Sequence, residues 1–212
     1  MGWSNSMPGM RLRKSIYLGM SSLAVMVWLT VAPISSAVGG DRIIHQPTEQ
    51  LLALQPGEVS VSGESGQYVG QVLATGSVEA AWAALTDYNN FASFFPDVET
   101  SRLLESNGNQ KVFEQVNVVR VFPFTRRTRV VISATESYPQ QISFNVIEGD
   151  VESLQGVWQL ESVGSNQVLV THRVSIDPGS SPTRDLFFNI YKNSLDDTMA
   201  ALGQEITRRS GG

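Results

Sequence analysis

The sequence predicts an α+β domain, with an antiparallel sheet of about seven strands packed against one long C-terminal helix and two short helices after the first strand. Two observations lead to this prediction. Strand-like runs follow one another between residues 67 and 177, separated by short turn sequences. After residue 181, apolar residues recur every three or four positions, as on one face of a helix. Strands joined by short turns are antiparallel, because a parallel pair requires a long crossover.

The first 37 residues predict a signal peptide. A basic region at residues 11–14 precedes an apolar stretch at residues 16–31, and the small residues at 35–37 match the site that a signal peptidase recognises. The alternative is a retained membrane anchor, since the apolar run approaches the ~20 residues of a transmembrane helix. In both cases we expect the folded domain to lie outside the cytoplasm, in a periplasm, a lumen or the extracellular space.

The composition of residues 38–58 predicts a spacer, because glycines and prolines interrupt any regular pattern there. We expect residues 59–212 to form one domain, which is long enough to bury a sizeable core. The formal net charge is −5, and an acidic chain is a poor nucleic-acid partner, because phosphate contacts require Lys and Arg in number. The chain has no cysteine and two histidines, so we expect no zinc site and no other cofactor.

The first predicted helix begins after Ser77, a residue type that caps helix N-termini. One face at helical spacing is apolar, with Val78, Ala81, Trp82 and Leu85. The chain cannot remain helical beyond Phe95, because the residue before a proline is excluded from the α region. Residues 89–95 therefore predict a short turn or helix that crosses one end of the sheet.

Six further strands follow this segment, and turn chemistry bounds each of them. Asn107-Gly108 is a strong hairpin signal, and Pro123, Pro139 and Gly149-Asp150 mark later corners. The predicted strands are residues 98–106, 111–122, 125–137, 141–148, 154–163 and 167–177.

The C-terminal helix is predicted to begin at Ser181-Pro182, a capping residue followed by a first-turn proline. It carries one continuous apolar stripe, made of Phe188, Tyr191, Leu195, Met199, Leu202 and Ile206. Because such a stripe must be buried, we expect the helix to lie across the concave side of the sheet.

Three local motifs carry a family resemblance: residues 87–96 with their crowded aromatics, Ser101-Arg102, and Gly156-Val157-Trp158. Together they resemble the polyketide cyclase and coenzyme Q-binding START-like family over residues 59–208. The resemblance implies the helix-grip fold, in which a curved sheet wraps around a long helix and leaves a hydrophobic cavity. It also implies that the Gly-x-Trp strand lines or backs this cavity, so Trp158 has either a packing role or a ligand-contact role.

Polar residues that share a strand face with apolar ones are candidate ligand anchors, since burying them without a partner costs free energy. His172 lies in an aliphatic row on the last strand, and Glu114 and Arg120 share a face with valines. The alternative is that Glu114 and Arg120 pair within the sheet and that His172 is a satisfied core residue. The residues expected to line the cavity or its mouth are Phe94, Phe95, Glu114, Arg120, Phe144, Trp158, His172, Phe188, Tyr191, Leu195 and Met199.

An arginine-rich corner is a candidate membrane contact. Arginines flank an aromatic-proline tip, and such a tip can enter a lipid interface while guanidinium groups meet headgroup phosphates. The predicted contact residues are Phe122, Phe124, Arg126, Arg127 and Arg129. The alternative is a solvated strand face whose charges are neutralised by nearby glutamates.

Two classes of function follow from these observations. The favoured one is a binding or transfer protein that encloses a lipid, an isoprenoid quinone or a similar apolar molecule. The second is an enzyme like the family's aromatase/cyclases, which requires acid and base groups in the cavity. The sequence contains no phosphate-binding glycine loop and no Gly-x-Ser-x-Gly motif. A third hypothesis is that the cavity is collapsed and that the surface of the domain binds a protein partner. The oligomeric state is left undetermined by the sequence.

Overall fold

The computed structural model describes residues 54–121, 124–180 and 182–211, with side chains except at residues 119–121 and 124. The predicted signal peptide or anchor, and the predicted spacer up to residue 53, lie outside the described residues. Phe122 and Pro123 at the arginine-rich corner also lie outside them.

The described residues contain eight strands, which form one antiparallel sheet. They are β1 (Val59–Glu64), β2 (Gln67–Thr75), β3 (Val98–Asn107), β4 (Gln110–Val121), β5 (Phe124–Ser137), β6 (Gln141–Gly149), β7 (Ser153–Ser162) and β8 (Gln167–Asp177). Their spatial order is β1-β2-β8-β7-β6-β5-β4-β3. Strands β3 to β8 therefore form the predicted meander, and the hairpin of β1 and β2 extends it beside β8.

Helices occupy two places in the described chain. After β2 come helix α1 (Val78–Leu85) and a short 3₁₀ helix (Phe91–Ser93), and after β8 comes the long helix α2 (Arg184–Ser210). The predicted antiparallel sheet and C-terminal helix are confirmed. There are eight described strands instead of about seven, and the short helices follow the second strand instead of the first, because residues 59–75 form a hairpin.

Local sequence signals account for these boundaries. The Ser77 hydroxyl accepts a hydrogen bond from the backbone N–H of Ala80 at 3.2 Å and caps α1. The hairpin of β3 and β4 closes where Asn107 pairs with Gln110, and Gly108 adopts the positive φ of 56° that this turn requires. These two signals act as predicted, whereas α2 begins at Arg184 with Thr183 as its N-cap, and not at the predicted Ser181-Pro182.

Helix α2 packs closely on β1 and β2 because two glycines leave room for it. A Cβ at Gly70 would approach Cγ of Met199 to 2.9 Å, and a Cβ at Gly203 would approach the Val72 side chain to 2.9 Å. Met199 and Val72 are fully buried at this contact. The backbone of α2 thus lies near the sheet at β2, which positions the helix over one side of the domain.

The C-terminal end of α2 is held by a group of charged side chains. Arg209 donates to Oε1 of Glu205 at 2.7 Å, to Oδ2 of Asp87 at 2.8 Å and to the Ala83 carbonyl at 2.8 Å. These arginine contacts, together with those from Arg208, lower the pKa of the buried Glu205 to about 2. The cluster ties α2 to the C-terminal end of α1.

Candidate functional site

The sheet has an inner face, which carries α2, and an outer face on the opposite side. Strand register assigns side chains to these faces, because alternate residues point to opposite sides. Gly70 lies beneath Met199 and Leu195 of α2, so Gly70 and its β8 partner His172 belong to the inner face. His172 pairs in turn with Trp158 of β7. The three residues of this row therefore cross the inner face from β2 to β7.

The two halves of the inner face differ in how completely they are covered. Over β2 and β8 the apolar side chains are buried, as Tyr68 at 3%, Val170 at 0% and Val174 at 4% exposure show. Over β6 and β7 several are only partly buried. We call the region bounded by the partly buried residues Phe144, Val146, Leu154, Trp158 and Tyr191 the inner cleft.

Two aromatic rings lie nearly parallel to the imidazole of His172 at the border of the inner cleft. The Trp158 ring stacks on it at 3.7 Å between centroids, and the Phe144 ring lies nearly parallel at 5.6 Å. Gly156 makes this arrangement possible, because a Cβ there would approach the Phe144 ring to 2.7 Å and collide with the Arg173 carbonyl. The Gly-x-Trp motif thus has a local reason: the glycine admits one ring and the tryptophan supplies the other.

The imidazole of His172 is buried without a complete set of hydrogen bonds. The residue is 5% exposed, and among the described residues none forms a hydrogen bond with Nδ1. Burial lowers the pKa of His172 to about 3, and the nearby backbone of Val157 offsets this only in part. The ring is therefore neutral at physiological pH, and the expectation of a satisfied core histidine does not hold for Nδ1.

The helix residues predicted to line the cavity fall into two groups, those packed against the sheet and those at the inner cleft. Phe188, Leu195 and Met199 are buried against the sheet, whereas Tyr191 is partly exposed at the cleft. Its ring centroid lies 5.6 Å from that of Tyr68. Burial raises the pKa of Tyr191, and the nearby Tyr68 raises it further, so the phenol stays protonated. Of these four predicted contacts, Tyr191 is the one that the structure places at the cleft.

Glu114 does not face the inner cleft, which corrects its prediction as a ligand anchor. It pairs across the strands with Val131, and its neighbour Phe113 lies in the core, so Glu114 is on the outer face. It accepts hydrogen bonds from Arg129 at 2.7 Å and Arg102 at 3.4 Å. The alternative of pairing within the sheet is correct for Glu114.

Arg120 lies on β4, where its backbone pairs with Thr125. Its side chain is outside the described part of the structure, so its predicted role stays a prediction.

The inner face of β4 carries polar residues that the sequence prediction missed. Gln115 and Asn117 alternate with Glu114 and are joined by a hydrogen bond of 2.7 Å. The valines of β4 favoured the other face, but there Val116 and Val118 pair across the strands with Arg129 and Arg127. Apolar alternation therefore indicated the wrong side of this strand.

Phe94 and Phe95 lie in an aromatic cluster between the 3₁₀ helix and α2. Their ring centroids are 4.5 Å apart, and each contacts the ring of Phe91. The Arg209 guanidinium lies 5.7 Å from the centroid of the Phe94 ring. The structure thus gives both residues packing contacts and does not bring them into the row around His172.

The arginine-rich corner is partly neutralised within the sheet. Arg127 donates to Glu99 at 2.7 and 2.9 Å, and Arg129 donates to Glu148 and Glu114 at 2.7 Å each. These acidic partners raise the pKa of both arginines. Arg126 is exposed, and the backbone of Phe124 pairs with Val121. The contacts of Arg127 and Arg129 match the alternative of a neutralised strand face.

A second polar group lies at the other end of the inner face. Glu136, whose strand partner is the buried Ile142, accepts a hydrogen bond from the Tyr88 hydroxyl at 2.9 Å. Nζ of Lys111 lies 3.9 Å from the same carboxylate. Burial raises the pKa of Tyr88, and the charge of Glu136 raises it further. Tyr88 and Glu136 are thus partners of each other, whereas Lys111 donates its hydrogen bonds to Oγ of Ser106 at 2.9 Å and to the Gly108 carbonyl at 2.7 Å.

A groove of about 830 Å³ lies along β2, β6, β7 and β8, with most of its lining on the outer face. Outer-face residues such as Gln67, Asn145 and Arg173 line it together with the inner-cleft residues Phe144, Val146 and Leu154. Within the described residues, neither measured groove lies between α2 and the sheet. The cavity expected between α2 and the sheet therefore stays a prediction, and the partly buried residues of the inner cleft are its candidate lining.

Two searches of the described residues concern metals and membranes. No cluster of three or more His, Cys, Asp or Glu side chains there is arranged to hold a metal ion. No helix in that part of the chain combines the length and the apolar character that crossing a bilayer requires.

The sequence matches a family model described as polyketide cyclase / dehydrase and lipid transport over residues 75–202, more than half of the chain. The chain belongs to this family. The resemblance seen in the sequence motifs is thereby confirmed. Among curated proteins, none matches the sequence significantly.

Solved structures with the same fold include three bacterial proteins. A protein from Thermus thermophilus has a TM-score of 0.60 and 14% identity over 67% of this chain and 97% of its own. A STAR-related lipid transfer protein from Xanthomonas axonopodis has a TM-score of 0.58 and 17% identity, covering 70% and 98%. An aromatase/cyclase from a Streptomyces species has a TM-score of 0.57 and 17% identity, covering 72% and 96%. At these identities the likeness establishes the fold.

Proposed function

We propose that this chain is a binding or transfer protein that takes an apolar small molecule, such as a lipid or an isoprenoid quinone, into the inner cleft. The observation that supports this most is the stacked group of Phe144, His172 and Trp158. In it, two partly exposed aromatic rings lie beside a buried nitrogen that has no hydrogen-bond partner among the described residues. Apolar walls with one convergent polar group are typical of small-molecule sites. Membership of a family that includes lipid transport agrees with this proposal.

The described titratable groups of the inner face favour binding over catalysis. His172 is neutral because burial lowers its pKa to about 3, which makes it a weak proton acceptor near neutral pH. Tyr88, Glu136 and Lys111 engage one another at the far end of the face. General acid-base chemistry requires a free group that can exchange a proton near neutral pH, and Tyr88 and Glu136 are already hydrogen-bonded to each other.

The experiment is native mass spectrometry of the purified chain with lipid extraction, using two matched tryptophan variants on β7. We expect wild type to carry an apolar molecule. Leu154→Trp, at the cleft, should lower its occupancy, whereas Val157→Trp, on the outer face, should not. Equal effects of both variants, or a wild type that neither carries nor takes up an apolar molecule, would contradict the proposal. A loss confined to Val157→Trp would instead place the ligand in the outer groove.

A cyclase or aromatase activity is the second candidate function. The observation that favours it is the Tyr88 and Glu136 pair, which puts a hydroxyl and a carboxylate on the inner face of a fold shared with an aromatase/cyclase. Turnover of a supplied poly-β-ketone that is lost in Glu136→Gln, with folding retained, would establish the enzyme. Binding without turnover would leave the binding function alone.

Export is part of the proposal and is supported by the order of basic, apolar and small residues in positions 11–37. N-terminal sequencing of the protein from its natural host tests it. A mature chain beginning after Ala37 is expected, and one that still begins before Arg11 would contradict cleavage.

Peripheral contact with anionic membranes is the last part of the proposal, with Phe122, Phe124 and the exposed Arg126 as its centre. Because Arg127 and Arg129 have acidic partners, Arg126→Gln is the sharper variant, and Arg173→Gln on the outer face is its control. Flotation with vesicles containing phosphatidylserine should show weaker binding for Arg126→Gln only. If the wild-type protein does not float with such vesicles at low salt, the proposed membrane contact is wrong.

A further inference from the structure

The unpaired nitrogen of His172 sets it apart from the polar side chains around it. The Tyr68 hydroxyl donates to the Phe188 carbonyl at 3.2 Å, and Gln115 donates to Asn117 at 2.7 Å. Within the described residues, Nδ1 of His172 has no comparable partner although it is fully buried. Buried polar atoms in folded proteins nearly always have a partner, so an exception calls for an explanation.

The surroundings of His172 show why the described protein supplies no partner. Its neighbour across the strands is Gly70, and the space above that glycine is filled by Met199 and Leu195. On its other side the rings of Trp158 and Phe144 lie parallel to the imidazole. The stacking restricts rotation of the ring, and each of these neighbouring side chains is apolar.

The charge state of the site restricts what can bind there. Burial keeps the His172 ring neutral, and burial also keeps the phenol of Tyr191 on α2 protonated, so neither group carries a charge at physiological pH. A carboxylate or phosphate placed against this ring would be desolvated without a counter-charge, which is costly. A neutral oxygen would exchange one hydrogen bond to water for one to the imidazole.

We infer that the ligand of the inner cleft carries a neutral hydroxyl or carbonyl group on an otherwise apolar body, and that Nδ1 of His172 binds this group. The inference rests on the proposed function and narrows its ligand class from apolar molecules in general to neutral ones that carry a hydroxyl or carbonyl group. It assigns the aromatic pair a positioning role, because Trp158 and Phe144 hold the imidazole in one orientation.

The test is a displacement assay with the full chain and the neutral fluorescent probe N-phenyl-1-naphthylamine. Four competitors share one chain length: hexadecane, hexadecan-1-ol, hexadecan-2-one and palmitate. We expect the alcohol or the ketone to displace the probe at about tenfold lower concentration than the alkane and the carboxylate do. One buried hydrogen bond changes an affinity by about this factor. In His172→Phe this preference should vanish while the probe still binds, because phenylalanine keeps the stack but removes both nitrogens.

The outcomes separate the two proposals. If the probe does not bind wild type and none of the four competitors is retained, the inner cleft is not a ligand site and both proposals fail. If the probe binds but wild type prefers palmitate, or treats alkane, alcohol and ketone alike, only the role of His172 is overturned. A preference that survives in His172→Phe overturns it too. Wild-type selectivity alone decides the ligand class if the variant does not fold.

Discussion

The covered half and the cleft half of the inner face share one sheet but differ in packing. Beneath α2, Val72, Val170 and Met199 are fully buried, and two glycines let the helix approach the strands. At the inner cleft, Trp158 and Phe144 are only partly buried. Because α2 contacts β1 and β2, it leaves positions on β6 and β7 with fewer neighbours. The comparison indicates that stability is concentrated in one half and available space in the other.

His172 lies at the border between these halves. It belongs to β8, whose other inner-face residues are covered, yet it stacks on Trp158 of the cleft. The position therefore joins the stable half to the half proposed to bind.

The largest expected effect comes from removing a fully buried side chain beneath α2. Met199→Ala should lower the free energy of unfolding by about 2–5 kcal/mol, because it leaves a cavity in close-packed surroundings. Leu154→Ala at the cleft should cost clearly less, since Leu154 is only partly buried. Urea denaturation of both variants measures the difference. Equal losses would show that the two halves are packed alike.

An intermediate effect is expected from adding volume instead of removing it. Val170→Trp should cost about 1–3 kcal/mol of stability, because Val170 is fully buried and a larger side chain must displace its neighbours. Val146→Trp, at the cleft, should be tolerated better and should weaken binding of N-phenyl-1-naphthylamine. Thermal melting and probe titration on the same samples check both statements. A Val170→Trp variant as stable as wild type would mean that the covered half contains unfilled space.

The smallest effect concerns the pH dependence of stability. The pKa of His172 falls from 6.5 to about 3 on folding, so below pH 6.5 the unfolded chain binds a proton that the native protein does not. The stability present above pH 6.5 is therefore lost as pH falls, by about 1.5 kcal/mol between pH 6.5 and 5. Urea titrations at both pH values should show this loss in wild type and a smaller one in His172→Phe. Carboxylates contribute equally to both proteins and cancel in the difference.

Turn chemistry and periodicity made most of the fold predictable. The sequence Asn107-Gly108 indicated the hairpin of β3 and β4, and Ser77 indicated the start of α1, because both act through neighbouring backbone atoms. The apolar stripe of α2 indicated which side of the helix is buried. Each of these signals depends on residues a few positions apart, where geometry follows from local rules.

The candidate site was predictable in its residue types but less so in its geometry. Trp158, Phe144 and His172 were expected near a cavity, yet their stacking depends on pairing between β6, β7 and β8. The prediction of which β4 face points inward was wrong. Glu114 accepts a hydrogen bond from Arg129 of β5, and the alternation of residues within β4 does not specify this pairing.

By itself, the sequence determined the antiparallel meander, the long amphipathic helix and the family, because these follow from short-range patterns and motifs. Tertiary structure alone decided which polar groups are satisfied. Glu114 meets Arg129 because the register of β4 and β5 brings them within 2.7 Å, whereas Nδ1 of His172 is enclosed by apolar neighbours from four different elements. The physical reason is that a hydrogen bond depends on distances between atoms far apart in the chain, and those distances exist only once the sheet and helix have packed.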